Sequence, residues 1–150
     1  GKSKWKKKEN NNDYSIGIEL ENKGHDYGYS NYTNKQYVAL RELIIFLKRN
    51  FYILNKNIIF HSDIAPNRKK DPGEKFLIKK IGINRFKYKK ELKNNFNIDK
   101  MLELYGFHKS YIKRYKKFCI KAVKRSLNYS IITSSISNKF FKDFYNLLIK

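Results

Sequence analysis

His61-Ser62-Asp63-Ile64-Ala65-Pro66-Asn67-Arg68-Lys69-Lys70-Asp71-Pro72-Gly73 decides how the rest of this chain is read. It sets an imidazole and a carboxylate ten residues apart, with Arg68, Lys69 and Lys70 between them. That separation excludes a pair on one helix face, which needs a spacing of three or four. The segment has to fold back for Asp71 to meet His61, and Pro66, Pro72 and Gly73 supply turns for that. An imidazole nitrogen and a carboxylate oxygen both suit zinc. Spacing alone leaves open both a metal pair and an unrelated His and Asp. Just upstream, the apolar run Asn57 to Phe60 predicts a short strand with His61 at its C-terminal end, where helix-bearing open sheets commonly place their chemistry.

Further upstream, Tyr14 to Glu21 alternates. Tyr14, Ile16, Ile18 and Leu20 share one face, and Ser15, Gly17, Glu19 and Glu21 the other, which predicts a half-buried strand. Glu19 and Glu21 then lie on one face about 7 Å apart. Asn22 to Asn31, with Gly24 and Gly28, reads as a long loop. Thr33 and Gln36 have capping-box spacing. They open a helix whose stripe is Tyr37, Leu40, Leu43, Ile44 and Leu47, ending near Asn50. Residues 1–12 are rich in Lys and Asn and read as a solvated loop with one apolar exception, Trp5.

Downstream of the quoted segment, Gly82 to Asn97 is basic and irregular and reads as a linker. Helical spacing then recurs over Asp99–Tyr105, Tyr111–Ser126 and Ser137–Ile149. The expected fold is α/β: a central mixed β-sheet flanked by helices over residues 1–83, a linker at 84–98, and a small three-helix module over 99–150.

The formal charge of +21 comes from 34 Lys and Arg against 13 Asp and Glu. It fits three readings: a nucleic-acid binder, attraction to an anionic polymer such as a cell wall, or a compositional bias that raises Lys, Asn, Ile, Tyr and Phe together. Asn adds nothing to a phosphate-binding surface, and Arg, the residue favoured for base reading, is scarce beside Lys. Nucleic acid is therefore the least favoured partner. No apolar run approaches the roughly 18 residues of a bilayer-spanning helix. The single cysteine, Cys119, excludes an internal disulfide and reads as a core residue. His25 and His108 read as loop or surface residues.

The full string from His61 to Gly73 resembles the signature of the AmpD/AmiD-type N-acetylmuramoyl-L-alanine amidases, relatives of the peptidoglycan recognition proteins. Asn12-Asp13-Tyr14-Ser15-Ile16-Gly17-Ile18-Glu19-Leu20-Glu21 is similar to a second block of that family. Gly24-His25-Asp26-Tyr27-Gly28-Tyr29 with Gln36 looks more like the AmiD branch. The resemblance covers residues 12 to about 83. Residues 101–150 weakly resemble the small peptidoglycan-binding-like module that follows AmiD-type catalytic domains.

The resemblance implies a zinc hydrolase that cuts the amide between N-acetylmuramic acid and L-alanine in peptidoglycan or muropeptides. It implies that His61 and Asp71 are zinc ligands, that Lys69 stabilises the oxygen of the scissile carbonyl, and that Glu19 activates water. Arg68 is a candidate partner for a peptide carboxylate. Asp63 is a candidate brace for the loop or partner for the His61 ring. The family's third ligand, an early His near its first strand, has no counterpart here. The chain is therefore expected to be an N-terminally truncated amidase, inactive alone. A non-catalytic peptidoglycan-recognition remnant is the alternative, with a basic nucleic-acid binder behind it. The cell envelope is the expected compartment, with the cytoplasm as the other option; oligomeric state is left open.

Overall fold

Thr33 caps its helix as the spacing predicts. In this computed structural model, which describes residues 4–6, 8–84 and 96–148, the Gln36 amide donates to Thr33 Oγ1 at 3.2 Å. Thr33 N–H donates back to Gln36 Oε1 at 2.9 Å. Two otherwise orphaned donors are satisfied at once, and helix α1 runs Asn34–Phe51. Tyr37, Leu40 and Ile44 are buried. They pack on Phe60, Phe76, Ile78, Ile81 and Ile83, which forms one apolar cluster. Leu43, at 41% exposure, leaves the predicted stripe for solvent.

A second cluster is built by three helices: α3 (Ile98–Tyr105), α4 (Lys109–Ser126) and α5 (Asn138–Leu148). All three fall where the 3.6-residue periodicity predicts. Met101, Leu102, Cys119, Val123, Phe140 and Phe144 are fully or almost fully buried between them. The Asn97 side chain caps α3 by accepting from Lys100 N–H at 2.9 Å. His108 caps α4, accepting from Ser110 N–H at 3.4 Å. Burial pushes the Cys119 thiol up to about 12, so it is an inert core thiol.

No central mixed sheet forms among the described residues. Among the described residues the strands are two short ones, β1 (Lys4–Trp5) and β2 (Lys8–Glu9), paired antiparallel with Trp5 opposite Lys8. Asn11–Tyr14 is a 3-10 turn, and Ser15 to Glu21 is irregular chain without a ladder. Tyr14, Ile16 and Ile18 are 72%, 49% and 39% exposed, and only Leu20 of the alternating face packs inward. Alternation selects an extended backbone, but a strand also needs a neighbour to hydrogen-bond. Among the described residues no strand pairs with this segment. The strand expected at Asn57–Phe60 likewise becomes a 3-10 turn at Asn55–Asn57 followed by extended chain. The predicted linker falls mostly outside the described residues.

Lys4–Trp5 and Lys8–Glu9 pair as strands where the sequence predicts a solvated loop. The β1–β2 hairpin carries Trp5 into the helical cluster, edge-on to Tyr105 and Phe107 at 5.2 and 5.5 Å. Lys6 N–H donates to the Gly106 carbonyl at 2.8 Å. Gly106 has φ +150, and a Cβ there would sit 2.7 Å from the indole. The glycine therefore creates the seat for the ring. Gly106→Ala should cost about 1–3 kcal/mol, readable as a lower urea midpoint with an unquenched Trp5 emission shift.

Candidate functional site

His61 opens a four-residue helix, α2 (His61–Ile64), instead of closing a strand. Ser62 N–H donates to the Asp71 carbonyl at 3.0 Å, which closes the loop across ten residues. The Ala65 carbonyl accepts from Arg68 and Lys69 N–H at 2.9 and 2.8 Å, which turns the chain tightly between them. The result brings together the two residues singled out in the sequence. His61 Nδ1 lies 2.9 Å from Asp71 Oδ2, with both side chains about half exposed. A group arriving from solvent can reach both atoms.

Lys69 is half-buried on the same loop, and Arg68 is exposed beside it. Glu19 is exposed on the irregular segment and forms no hydrogen bond or ion pair among the described residues. No group of three His, Cys, Asp or Glu is gathered among the described residues. Of the sequence-predicted set, the structure thus joins His61 to Asp71, places Lys69 and Arg68 on their loop, and leaves Glu19 apart from any described partner.

Asp63 takes the bracing role. It is fully buried. Its Oδ2 accepts from Phe60 N–H at 2.8 Å, and its Oδ1 accepts from the Tyr105 hydroxyl at 2.9 Å. Tyr105 also reaches Ser126 Oγ at 2.8 Å. The loop is thereby tied to α3 and α4 through one carboxylate.

The far end of the loop is held by tyrosines. Tyr29 and Tyr32 hydroxyls donate to the Pro72 carbonyl at 2.8 and 3.0 Å. Tyr29 also accepts from Lys75 N–H at 2.8 Å. The Tyr37 hydroxyl accepts from Leu77 N–H at 2.8 Å. Burial, and then the charge of Asp71, pushes the Tyr32 phenol up to about 12, so these hydroxyls remain donors. His25 stacks on Tyr29 at 4.3 Å. Gly73, with φ +82, fits beneath that stack; a Cβ would meet Tyr29 Cζ at 2.7 Å and His25 Cε1 at 2.8 Å. Gly73→Ala is expected to destabilise by about 1–3 kcal/mol and to lower the melting temperature by several degrees.

Glu74 continues the network. Its carboxylate takes the His25 ring at 3.1 Å and faces Arg125 Nε at 3.8 Å. Burial acts to raise its pKa, but the His25 hydrogen bond and the charge of Arg125 outweigh that and hold it below the usual carboxylate value. A carboxylate with a lowered folded-state pKa stabilises the fold above its unfolded pKa of about 4.3. That contribution is lost as pH falls through the lowered value. In urea titrations, wild type should therefore exceed Glu74→Gln in stability at pH 6 to 7, with the gap closing towards pH 3.

A family model described as N-acetylmuramoyl-L-alanine amidase matches residues 2–74. Residues 2–74, just under half of the chain, carry the resemblance to that amidase family. Over 81 residues the chain is 38% identical to the N-acetylmuramoyl-L-alanine amidase AmiD of Escherichia coli, a stretch of 51% of this chain and 29% of that protein. Over 76 residues it is 45% identical to the 1,6-anhydro-N-acetylmuramyl-L-alanine amidase AmpD of Enterobacter cloacae, covering 51% and 38%. Escherichia coli AmiD, solved in complex with the substrate anhydro-N-acetylmuramic acid-L-Ala-D-gamma-Glu-L-Lys, superposes with a TM-score of 0.77 at 26% identity. That match covers 99% of this chain and 66% of the other. AmpDh3 of Pseudomonas aeruginosa, in complex with anhydromuramic pentapeptide, gives 0.81 at 26% identity over 97% and 66%. The fold is thus of the amidase type, and the chain spans under two fifths of the length of these two curated amidases.

Sequence reasoning placed His25 among loop or surface residues. In the amidase segment it is a packed, hydrogen-bonded support of the Pro72-Gly73 turn. The signal was present, since Tyr27, Tyr29 and Tyr32 crowd the same loop, but nothing in one sequence says where their hydroxyls go.

Proposed function

We propose that this chain carries the metal-binding loop of a zinc-dependent N-acetylmuramoyl-L-alanine amidase acting on peptidoglycan or its muropeptides. The observation that supports it most is the 2.9 Å meeting of His61 Nδ1 and Asp71 Oδ2 across a ten-residue loop. This donor chemistry fits zinc: one imidazole nitrogen and one carboxylate oxygen, both solvent-accessible. They would fill two of the three protein positions that a catalytic zinc site uses.

When bound, zinc supplies an activated water and polarises the scissile carbonyl. The protein's own residues divide the rest. Lys69 sets an ammonium beside the carbonyl oxygen, where negative charge develops. The Glu19 carboxylate takes the proton of the attacking water. Arg68 pairs with a carboxylate of the peptide stem. Asp63, Tyr29 and Tyr32 keep the loop in shape.

Two donors hold zinc loosely, and free imidazole is a chemical substitute for a third. Anhydro-muropeptide cleavage, followed by chromatography of the released peptide, should be undetectable for the chain with zinc alone. It should appear when zinc and millimolar imidazole are both present, and vanish again in Lys69→Ala. Tight stoichiometric zinc without imidazole would contradict the two-donor site. Absence of cleavage at every imidazole concentration favours a recognition remnant that binds muropeptide without cutting it.

A further inference from the structure

We infer that the last turn of α4 sets the distance between His61 and Asp71, with Arg125 and Ser126 as positioning residues that grip opposite ends of the loop. This rests on the reading of the loop given above. Arg125 and Ser126 are adjacent, and both are buried. Their helix packs against α2, the short helix that His61 opens. Each of the two residues ends a separate chain of contacts.

Ser126 holds the His61 end. Its Oγ lies 2.8 Å from the Tyr105 hydroxyl, which donates to Asp63 Oδ1 at 2.9 Å. The other Asp63 oxygen accepts from Phe60 N–H at 2.8 Å. The amide before His61 and the carboxylate two residues after it are thus tied to α4. Arg125 holds the Asp71 end. Its Nε makes no hydrogen bond among the described residues. It faces Glu74 Oε2 at 3.8 Å, so it acts there through charge. Both Glu74 oxygens take His25 Nε2, at 3.2 and 3.1 Å. His25 stacks on Tyr29, and the Tyr29 hydroxyl donates to the carbonyl of Pro72, the residue after Asp71.

A buried guanidinium and a half-buried carboxylate need each other, because either alone would keep a charge where water solvates it poorly. Removing the Arg125 charge frees Glu74 to turn towards solvent, and releases His25 and Tyr29 with it. The stack then no longer fixes the Pro72 carbonyl, and Asp71 shifts relative to His61. Adjacent residues on a helix keep one spacing, so the gap between the donors inherits the rigidity of α4. Metal donors need placement to about 0.5 Å, which the turns between His61 and Asp71 do not supply by themselves. The helical cluster is in this way part of the frame of the site and not an appendage to it.

The test compares the 150-residue chain with Arg125→Met, Arg125→Lys, Ser126→Ala and Glu74→Gln, each kept below its melting temperature. The first readout is hydrogen exchange of the metal-free protein. The Ser62 amide, which donates to the Asp71 carbonyl, should exchange about tenfold faster in Arg125→Met, while the Tyr37 and Met101 amides of α1 and α3 keep their rates. Arg125→Lys restores the charge and should bring Ser62 back to within about threefold of wild type. The second readout is zinc affinity with imidazole present, by chelator competition. It should fall about tenfold in Arg125→Met and recover in Arg125→Lys, as expected of residues that orient ligands. Glu74→Gln removes the charge that Arg125 faces and should move both readouts the same way, which keeps the test open if Arg125→Met does not fold. Ser126→Ala, which loosens the other end, should also weaken zinc; unchanged affinity there overturns the two-ended grip. Unchanged Ser62 exchange in Arg125→Met overturns the proposal. So does equal acceleration of all three amides, since Arg125 would then only stabilise the fold. So does faster Ser62 exchange with undiminished zinc affinity. If wild type binds no zinc with imidazole while Ser62 still follows the charge at position 125, the reading of the loop fails and the positioning role stands.

Discussion

His61→Ala and Asp71→Ala should each weaken zinc binding by about a hundredfold in the presence of imidazole, the upper end of what changes around a zinc ligand cost. The reason is geometric. The loop presents one nitrogen and one oxygen 2.9 Å apart, and removing either leaves a single protein donor that cannot chelate. Asp71→Asn is a sharper probe, since it keeps the shape and removes the charge that attracts the cation. Competition against a chromophoric chelator reads the affinity directly. Zinc retained by His61→Ala at the wild-type level would move the site elsewhere, for instance to His25 and Glu74, a second imidazole–carboxylate pair. Because both ligand side chains are half exposed, these variants should leave the melting temperature of the metal-free chain within a few degrees of wild type.

Asp63→Ala should have the opposite profile: little direct effect on donors for the metal, and a loss of about 3–5 kcal/mol in stability. Two of its hydrogen bonds join a backbone amide and a phenol to one buried carboxyl group. Hydrogen bonds to charged groups contribute roughly 1.5–3 kcal/mol each, and their removal strands the Phe60 amide and perturbs Tyr105 in a dry interior. Against a typical total of about 5–15 kcal/mol, this is enough to unfold a large fraction of molecules at 37 °C. Asp63→Asn keeps one acceptor and should lose about half as much. Urea unfolding followed by circular dichroism measures both. A loss under about 1 kcal/mol for Asp63→Ala would mean that the loop and the α3–α4 pair are held together by apolar packing alone.

How much of this was legible in the residues depended on the range of the interaction. Thr33 and Gln36 lie three apart, and their reciprocal cap is a local matter, so α1 formed where the spacing placed it. The stripes of α3, α4 and α5 were equally readable, because each helix buries its own periodic face. The His61–Asp71 meeting was legible through the whole string and not through the spacing of two residues. Tyr14 to Glu21 shows the limit. Alternation describes one strand's faces and says nothing about who pairs with it, and with no strand paired to it among the described residues the segment stays irregular. The tyrosine hydroxyls on Pro72, Lys75 and Leu77, and Asp63 on Tyr105, join residues some 40 positions apart. No local pattern encodes such pairs. Trp5 was visible as an anomaly in a polar run, but its seat at Gly106 was not.

That seat has a consequence for the order in which the chain assembles. Trp5 and Tyr105 are a hundred residues apart in sequence, so their meeting closes one of the widest circuits in the molecule, at an entropic cost that rises with the logarithm of the enclosed length. α1 and the helical trio nucleate from near neighbours and can form early. The indole can be received only once the α3 terminus and its glycine are in place. The hairpin is therefore expected to dock late in folding and to come away early in unfolding: a latch that reports, by the burial of one tryptophan, that the helices beneath it are already assembled.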